Sequence, residues 1–170
     1  MATALAVGAA FLVVPAASAD ESNGIDIVLT PKSSISSSAD GWRGFARRSM
    51  RFTVDVTDIG DQNDDGLSVF VSVPFTVRGS GERWDCWAVE GGLQCEIDDL
   101  VVPGETWPTL TIDGSTTIGY MRDSVDVYAE STNGDAHAGV PFRIGACGRS
   151  RSDPPVGRRD SGGQQAVHSR

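Results

Sequence analysis

The sequence predicts an all-β domain built as a two-sheet antiparallel sandwich. Between residues 25 and 144, apolar residues recur at every second position in many short segments, the pattern of strands with one buried side. Turns containing glycine or proline separate these segments, and no stretch of this region fits the helical spacing as well. Short strands at this spacing favour a sandwich over a single open sheet.

Eight segments carry the alternation. In one of them, Phe52, Val54 and Val56 alternate with polar neighbours. The predicted strands are residues 25–29, 52–57, 67–73, 84–88, 93–97, 109–112, 124–130 and 140–144. Turns are predicted at residues 60–66, 78–81, 91–92, 103–104, 113–114 and 133–134, and the serine-rich residues 33–39 are predicted to form a loop.

The two ends of the chain differ from this patterned region. An apolar run at residues 4–14 precedes the small-x-small cleavage motif Ala17-Ser18-Ala19, so residues 1–19 are interpreted as a secretory signal peptide rather than a buried helix. The run is shorter than the ~20 residues of a membrane span, and we expect no span in the mature chain. Residues 146–170 lack an apolar face and are predicted to form a disordered basic tail. Residues 20–145 are the predicted sandwich domain.

The net charge of the chain argues against one class of partner, the nucleic acids. Its formal net charge is -9, whereas nucleic-acid binding needs clustered Lys and Arg, so we expect no nucleic-acid partner. Acidity of this kind favours solubility outside the cell. One basic cluster, formed by Arg43, Arg47, Arg48 and Arg51, precedes the second predicted strand. We favour a solvated face that offsets nearby acids, and contact with an anionic wall polymer is the alternative.

Two of the three cysteines are predicted to form a disulfide. If residues 89–92 are a four-residue loop, Cys86 lies directly opposite Cys95, with a Cα separation of ~4.5 Å that a disulfide tolerates. Export exposes the pair to oxidising conditions, and two buried free thiols are the alternative. Cys147 is left to pair between molecules or to remain a free thiol.

Four short motifs together resemble the signature of a bacterial repeat. Residues 53–61 (TVDVTDIGD) resemble its V-x-V-T-N-x-G-D strand and turn. Residues 84–86 (WDC), 91–95 (GGLQC) and 100–105 (LVVPGE) resemble its W-x-C, G-x-x-x-C and L-x-P-G-E elements, in the same order. The chain is thus similar to the bacterial surface conserved-repeat domain known as domain of unknown function number eleven. This resemblance implies an immunoglobulin-like sandwich and a non-catalytic surface module, with no catalytic residues to carry over.

Four aspartates, Asp58, Asp61, Asp64 and Asp65, lie in a glycine-bounded loop. Hard cations such as Ca²⁺ favour several carboxylate oxygens. The spacing, however, does not match the D-x-[DN]-x-[DN]-G calcium loop. Solvated turn carboxylates are therefore the favoured interpretation, with a calcium site as the weaker alternative, and no cofactor is predicted.

The four tryptophans offer a possible platform for stacking sugars. Trp84 shares the face of the two paired cysteines and is predicted to lie in the core, whereas Trp87 points the other way. Trp87 is therefore the best exposed candidate, although packing inside the domain or at its edge is favoured for the tryptophans as a group. An exposed strip of aromatic side chains would favour carbohydrate binding.

No catalytic motif marks the chain as an enzyme. His137 and His168 are the only histidines, and no nucleophile elbow, zinc-binding helix motif or phosphate loop is present. Residue types alone leave open a paired-carboxylate glycosidase, but nothing marks a cleft. We predict an exported or cell-surface module with a structural or adhesive role. A carbohydrate- or cell-wall-polymer-binding module is the alternative, an exported hydrolase is the third hypothesis, and the expected partner is a wall polymer or another surface protein.

Overall fold

The computed structural model describes residues 21–117, 119 and 121–145. The predicted signal peptide, Cys147 and the predicted tail lie outside the described residues. Within the described residues, twelve strands follow one another: β1 (Glu21–Asn23), β2 (Ile25–Pro31), β3 (Ser36–Ser38), β4 (Gly41–Phe45), β5 (Met50–Asp58), β6 (Asp64–Ser72), β7 (Thr76–Ser80), β8 (Asp85–Val89), β9 (Gly92–Val101), β10 (Leu110–Ser115), β11 (Met121–Ser131) and β12 (Asp135–Gly145). All eight predicted strands are among them.

The strands form two sheets around one core. The large sheet has the order β3-β4-β12-β11-β6-β9-β8, with β1 also paired to β12, and the small sheet has the order β2-β5-β10-β7. The predicted all-β, immunoglobulin-like two-sheet sandwich is confirmed. One pair departs from the antiparallel prediction, because β4 runs parallel to β12.

Alternation along the strands builds the core, as the sequence pattern predicts. Ile25, Ile27 and Leu29 of β2 are fully buried, and so are Val69 and Val71 of β6 in the opposite sheet. Each such side chain contributes about 1.5–3 kcal/mol through removal of apolar surface from water. The outward positions between them are left free for polar or binding residues.

The cysteine hairpin has the predicted register. Cys86 on β8 is directly opposed to Cys95 on β9, and a disulfide joins them across a Cα separation of 4.1 Å. The connecting loop is shorter than predicted, because Val89 still pairs with Gly92. Only two residues remain to turn the chain, and the second of them, Gly91, has a φ of 84° that favours glycine.

Several segments predicted to be loops or turns are strands instead. Part of the serine-rich segment forms β3, and residues 78–80 belong to β7. Both strands lie at sheet edges, and neither has the buried apolar alternation on which the prediction depends. Gly114 lies inside β10, where a Cβ would meet the Phe75 ring at 2.5 Å. Its small size is therefore required for packing and does not mark a turn.

Candidate binding site on the large sheet

A row of side chains crosses the outer face of the large sheet. Tyr128 on β11 is directly opposed to His137 on β12 and to Phe70 on β6. Gln94 on β9 is opposed both to Phe70 and to Trp87 on β8. Neighbouring strands lie ~4.8 Å apart, so the row spans roughly 19 Å. We call these five residues the aromatic row.

The rings of the aromatic row reach solvent, and three of them, Phe70, Tyr128 and His137, form a chain of ring contacts. Tyr128 is 48% exposed and Trp87 is 41% exposed, which confirms the predicted outward direction of Trp87. The His137 ring stacks on Tyr128 with a centroid distance of 4.4 Å and an interplanar angle of 18°. The Phe70 centroid lies 6.3 Å from that of Tyr128. These last three rings line a groove of about 410 Å³.

The other three tryptophans pack inside the domain. Trp42 and Trp107 are buried. Trp84 packs against the core, as predicted, and its indole Nε1 donates a hydrogen bond to the carbonyl oxygen of Pro108 at 2.6 Å. Trp87 is therefore the tryptophan that reaches solvent and the binding face.

His137 lies beside a carboxylate and near a hydroxyl, but the three groups do not form a catalytic triad. Its Nε2 is 3.3 Å from Oδ1 of Asp126. The hydroxyl of Ser124 donates to the other oxygen of the same carboxylate and not to the imidazole. A serine nucleophile needs the base at its own hydroxyl. In this arrangement Asp126 orients the imidazole, and nothing activates Ser124.

The predicted basic cluster is divided between the two sheets. Arg51 lies on β5 of the small sheet, where its Nε and Nη2 donate to the Asp113 carboxylate at 2.7 and 2.9 Å. This hydrogen bond and the charge of Asp113 raise the pKa of Arg51 above its ordinary value. Arg47 and Arg48 are exposed in the connection between β4 and β5. Arg43 lies on β4 of the large sheet.

Arg43 belongs to a row of three arginines that sequence reasoning did not assemble. Arg143 on β12 is directly opposed to Arg43 on β4 and to Arg122 on β11. The three exposed side chains line a depression of about 400 Å³. Neither Arg43 nor Arg143 forms an ion pair with another described residue. This arginine row concentrates positive charge on an otherwise acidic domain.

The two rows lie on the same face of the large sheet. Arg122 and Tyr128 both point outward from β11, six positions apart, which corresponds to roughly 20 Å along the strand. Trp87, however, lies on the edge strand β8, and Arg43 lies towards the opposite edge on β4. The structure therefore does not bring Trp87 and the predicted basic cluster together at one contact point.

The four loop aspartates have two different environments. Asp58 ends β5 and Asp64 begins β6, and they are 0% and 1% exposed. Asp61 and Asp65 are exposed. The prediction of solvated turn carboxylates is confirmed for Asp61 and Asp65 and wrong for Asp58 and Asp64, which the folded loop and its neighbours remove from water.

A cavity of about 450 Å³ lies beside the two buried aspartates. Its lining residues are Asn23, Gly24, Asp58, Ile59, Gly60, Asp61, Gln62, Asp64 and Asn133, and none of them is basic. We call this space the acidic cavity. Nowhere in the described residues do three or more His, Cys, Asp or Glu side chains already stand in position to hold a metal ion.

Comparison with known proteins does not assign the chain to a family. No protein family model matches the chain, and no curated protein matches it. The resemblance to the conserved-repeat domain stays a prediction from the residues.

Several solved structures are similar in fold. AvmM, which catalyses macrocyclisation in alchivemycin A biosynthesis, is 12% identical with a TM-score of 0.41, over 72% of this chain and 89% of AvmM. A GH20 exo-β-N-acetylglucosaminidase from Vibrio harveyi is 11% identical with a TM-score of 0.40, over 78% of this chain. A non-cellulosomal cohesin from Archaeoglobus fulgidus is 11% identical with a TM-score of 0.39, over 68% of this chain and 90% of the cohesin. The chain spans 20% of the length of the Vibrio enzyme. Likenesses at this level concern the β architecture alone.

Two findings bear on the location of the protein. The Cys86–Cys95 pair is oxidised, which is consistent with an extracellular protein. Within the described residues, no helix has the length and apolar character needed to cross a membrane.

Proposed function

We propose that this chain is a non-catalytic, exported module of a bacterial surface, and that it adheres through the outer face of its large sheet. The observation that carries this proposal is the aromatic row. Aligned aromatic side chains on the solvent-facing side of a sheet expose apolar surface, which folding normally buries. Exposed apolar surface of this kind is typical of binding sites.

The ligand class that this face fits best is a carbohydrate polymer. The rings provide flat apolar surface, while Gln94 and His137 provide polar atoms at intervals along the same line. Ligand sites commonly combine apolar contact area with a few placed polar groups. The row is extended over roughly 19 Å, which suits a chain better than a single small molecule.

The arginine row extends this surface for a polymer that carries anionic groups. Arg43 and Arg143 have no carboxylate partner among the described residues, so their guanidinium groups are available to a ligand. Guanidinium groups bind carboxylate and phosphate oxygens through paired hydrogen bonds. A cell-wall polymer with sugar rings and acidic groups would therefore match both rows on one face.

Two further observations support the non-catalytic and exported parts of the proposal. The hydroxyl of Ser124 is hydrogen-bonded to Asp126 and not to His137, so the histidine on the binding face does not activate this serine. A disulfide at the edge of the sandwich suits a protein that folds in an oxidising compartment.

The proposal is tested by binding to isolated cell wall. Full-length protein and the Trp87→Ala/Tyr128→Ala double variant are mixed with insoluble wall material, and the bound fraction is measured after sedimentation. We expect at least about tenfold weaker binding for the variant, because each stacking aromatic contributes ~1 kcal/mol or more. Val102→Ala, which truncates another exposed apolar side chain, serves as the matched control and should bind normally.

The salt dependence of binding separates the contributions of the two rows. Stacking contacts persist at 0.5 M NaCl, whereas exposed charge contacts are screened. Loss of binding in salt and in Arg143→Gln would assign the interaction to the arginine row. Equal binding by the wild type and the double variant would refute the aromatic site. In that case, capture of another surface protein by the wild type would support the purely structural or protein-adhesive role.

A further inference from the structure

We infer that the acidic cavity is a calcium site that links the two sheets, independently of the polymer-binding face. Asp58 is the last residue of β5 in the small sheet, and Asp64 is the first residue of β6 in the large sheet. These two strands are consecutive in the sequence. A cation between them would therefore join the sheets at this end of the sandwich.

The main evidence for a bound ion is a buried carboxylate oxygen of Asp58 that has no hydrogen-bond partner. Its Oδ1 accepts a hydrogen bond from the backbone N–H of Gly60 at 2.8 Å, but its Oδ2 is buried and has no partner. The other such oxygen in the described residues belongs to Asp99, whose carboxylate is ion-paired with Arg83. Asp58 forms no such pair with any residue that the structure describes. A buried carboxylate without a positive partner is strongly destabilising, and a bound ion is one recognised explanation.

Neighbouring backbone groups hold the main chain of Asp58 in place. Its backbone N–H donates to the carbonyl oxygen of Glu105 at 2.9 Å, and its own carbonyl oxygen accepts from Gly104 at 2.7 Å. The connection between β9 and β10 therefore fixes the end of β5 on both sides. Asp58 thus lines the acidic cavity with its backbone held on both sides.

Asp64 supplies the second buried carboxylate in a preset orientation. Its Oδ1 accepts from the backbone N–H of Asn133 at 2.7 Å, and its Oδ2 accepts from the Ser131 hydroxyl at 2.8 Å. Each carboxylate oxygen has a further lone pair with which it can bind a cation. The Asn133 side chain uses its Nδ2 to donate to the carbonyl of Asn63, which leaves its Oδ1 as a neutral oxygen ligand at the cavity.

The donor types favour calcium over other metal ions. The polar side chains that line the cavity are carboxylates and amides, with no thiol or imidazole, which excludes the ligand set preferred by zinc. Ca²⁺ accepts six to eight oxygen ligands, including water, in flexible geometry, whereas Mg²⁺ demands a near-ideal octahedron. Two fixed carboxylates and an amide oxygen match the flexible case. Asp61 lines the same cavity from an exposed position, and its carboxylate would have to turn inward on binding, since three acidic groups do not converge in the described residues.

Calcium binding is tested on the full-length protein after dialysis against EDTA. Calcium sites of extracellular modules have dissociation constants of about 10⁻⁴–10⁻³ M. By linkage, 10 mM CaCl₂ should then raise the melting temperature by roughly 5–10 °C, and MgCl₂ should raise it less. Isothermal titration calorimetry should give one ion per chain. A melting temperature unchanged by calcium, together with no binding heat, would overturn the inference.

The location of the ion is tested with two aspartate-to-asparagine variants, one inside the cavity and one outside it. Asp58→Asn should abolish the calcium-dependent rise in melting temperature. Asp65→Asn removes the same charge from an exposed position outside the cavity and should retain the rise. Equal loss in both variants would show nonspecific binding and refute the site. If Asp58→Asn does not fold, Asp61→Asn, at an exposed position, replaces it and should weaken calcium binding several-fold. Unchanged affinity in Asp61→Asn would then contradict the proposed ligand set.

Discussion

Replacing both Cys86 and Cys95 with alanine is expected to lower the free energy of unfolding by roughly 2–4 kcal/mol. The two residues are nine positions apart, so their disulfide closes a small loop in the unfolded chain. In the chain-entropy model a loop of this size corresponds to roughly 2.5 kcal/mol. Cys95 is fully buried, and loss of its sulfur also leaves a small vacancy in the core. Reduction without substitution should cause only the first part of this loss.

The same substitution should change how the protein tolerates a side chain at Gly79. A Cβ on Gly79 would lie 2.5 Å from Sγ of Cys86 and 2.7 Å from Sγ of Cys95. Gly79→Ala should therefore destabilise the wild type by about 1–3 kcal/mol through overpacking. With both sulfurs removed, the added methyl group occupies vacated space. We expect the destabilisation by Gly79→Ala to be at least about 1 kcal/mol smaller in the double-alanine background.

Urea denaturation followed by tryptophan fluorescence measures all four states of this cycle. Cys147→Ser is introduced throughout to prevent disulfide exchange, and by itself it should change stability little. Peptide mapping of the wild-type protein, which retains Cys147, first establishes the pairing without reductant. A bridge from Cys147 to Cys86 or Cys95 would refute the hairpin pairing. Strictly additive effects of Gly79→Ala and the double alanine substitution would refute the packing of Gly79 against the disulfide.

Three further outcomes follow from the sequence and the surface. Mass spectrometry of secreted protein should find Asp20 at the N-terminus, and retention of residues 1–19 would overturn the signal prediction. Limited proteolysis should remove the chain beyond about Arg149, since the sequence there lacks an apolar face, and protection of that segment in the monomer would show that it docks. Asp113→Asn should leave the free energy of unfolding nearly unchanged, because the Arg51 pair is solvent-exposed. A clear loss of stability in urea denaturation would show that the pair has a structural role.

The cysteine hairpin was predictable because all its determinants are local. Alternation fixes which residues of β8 and β9 share a face, and the turn glycine fixes where the chain reverses. The predicted opposition of Cys86 with Cys95 implies that Trp87 opposes Gln94, and the structure has both pairs. Only the loop length differed, and that difference left the register unchanged.

Four of the five residues of the aromatic row could be predicted to face outward, but His137 lay outside every predicted strand and the row itself was not predicted. Alternation puts Phe70, Trp87, Gln94 and Tyr128 on the outward side of their own strands. Their alignment depends on the strand order β12-β11-β6-β9-β8, which brings together strands far apart in sequence. A single sequence gives alternation within a strand but carries no comparable signal for which strands are neighbours.

The burial of Asp58 and Asp64 escaped prediction for a similar reason. A run of aspartates between glycines is usually a solvated turn. Here the backbone N–H of Asn133 reaches Oδ1 of Asp64 from 69 positions away in the sequence. Contacts of this range follow from the tertiary fold, and the composition of the loop itself does not reveal them.

The edges of the large sheet limit how copies of this protein can associate. At one edge β3 is only three residues long and consists of serines, and at the other β8 has five residues. Along the side of β12, β1 and β4 pair with its two ends, and Pro141, which has no N–H to donate, lies between them. Short strands and proline discourage strand-by-strand polymerisation. At high local concentration, copies of the protein are therefore expected to meet through their faces and not to join strand to strand along the large sheet.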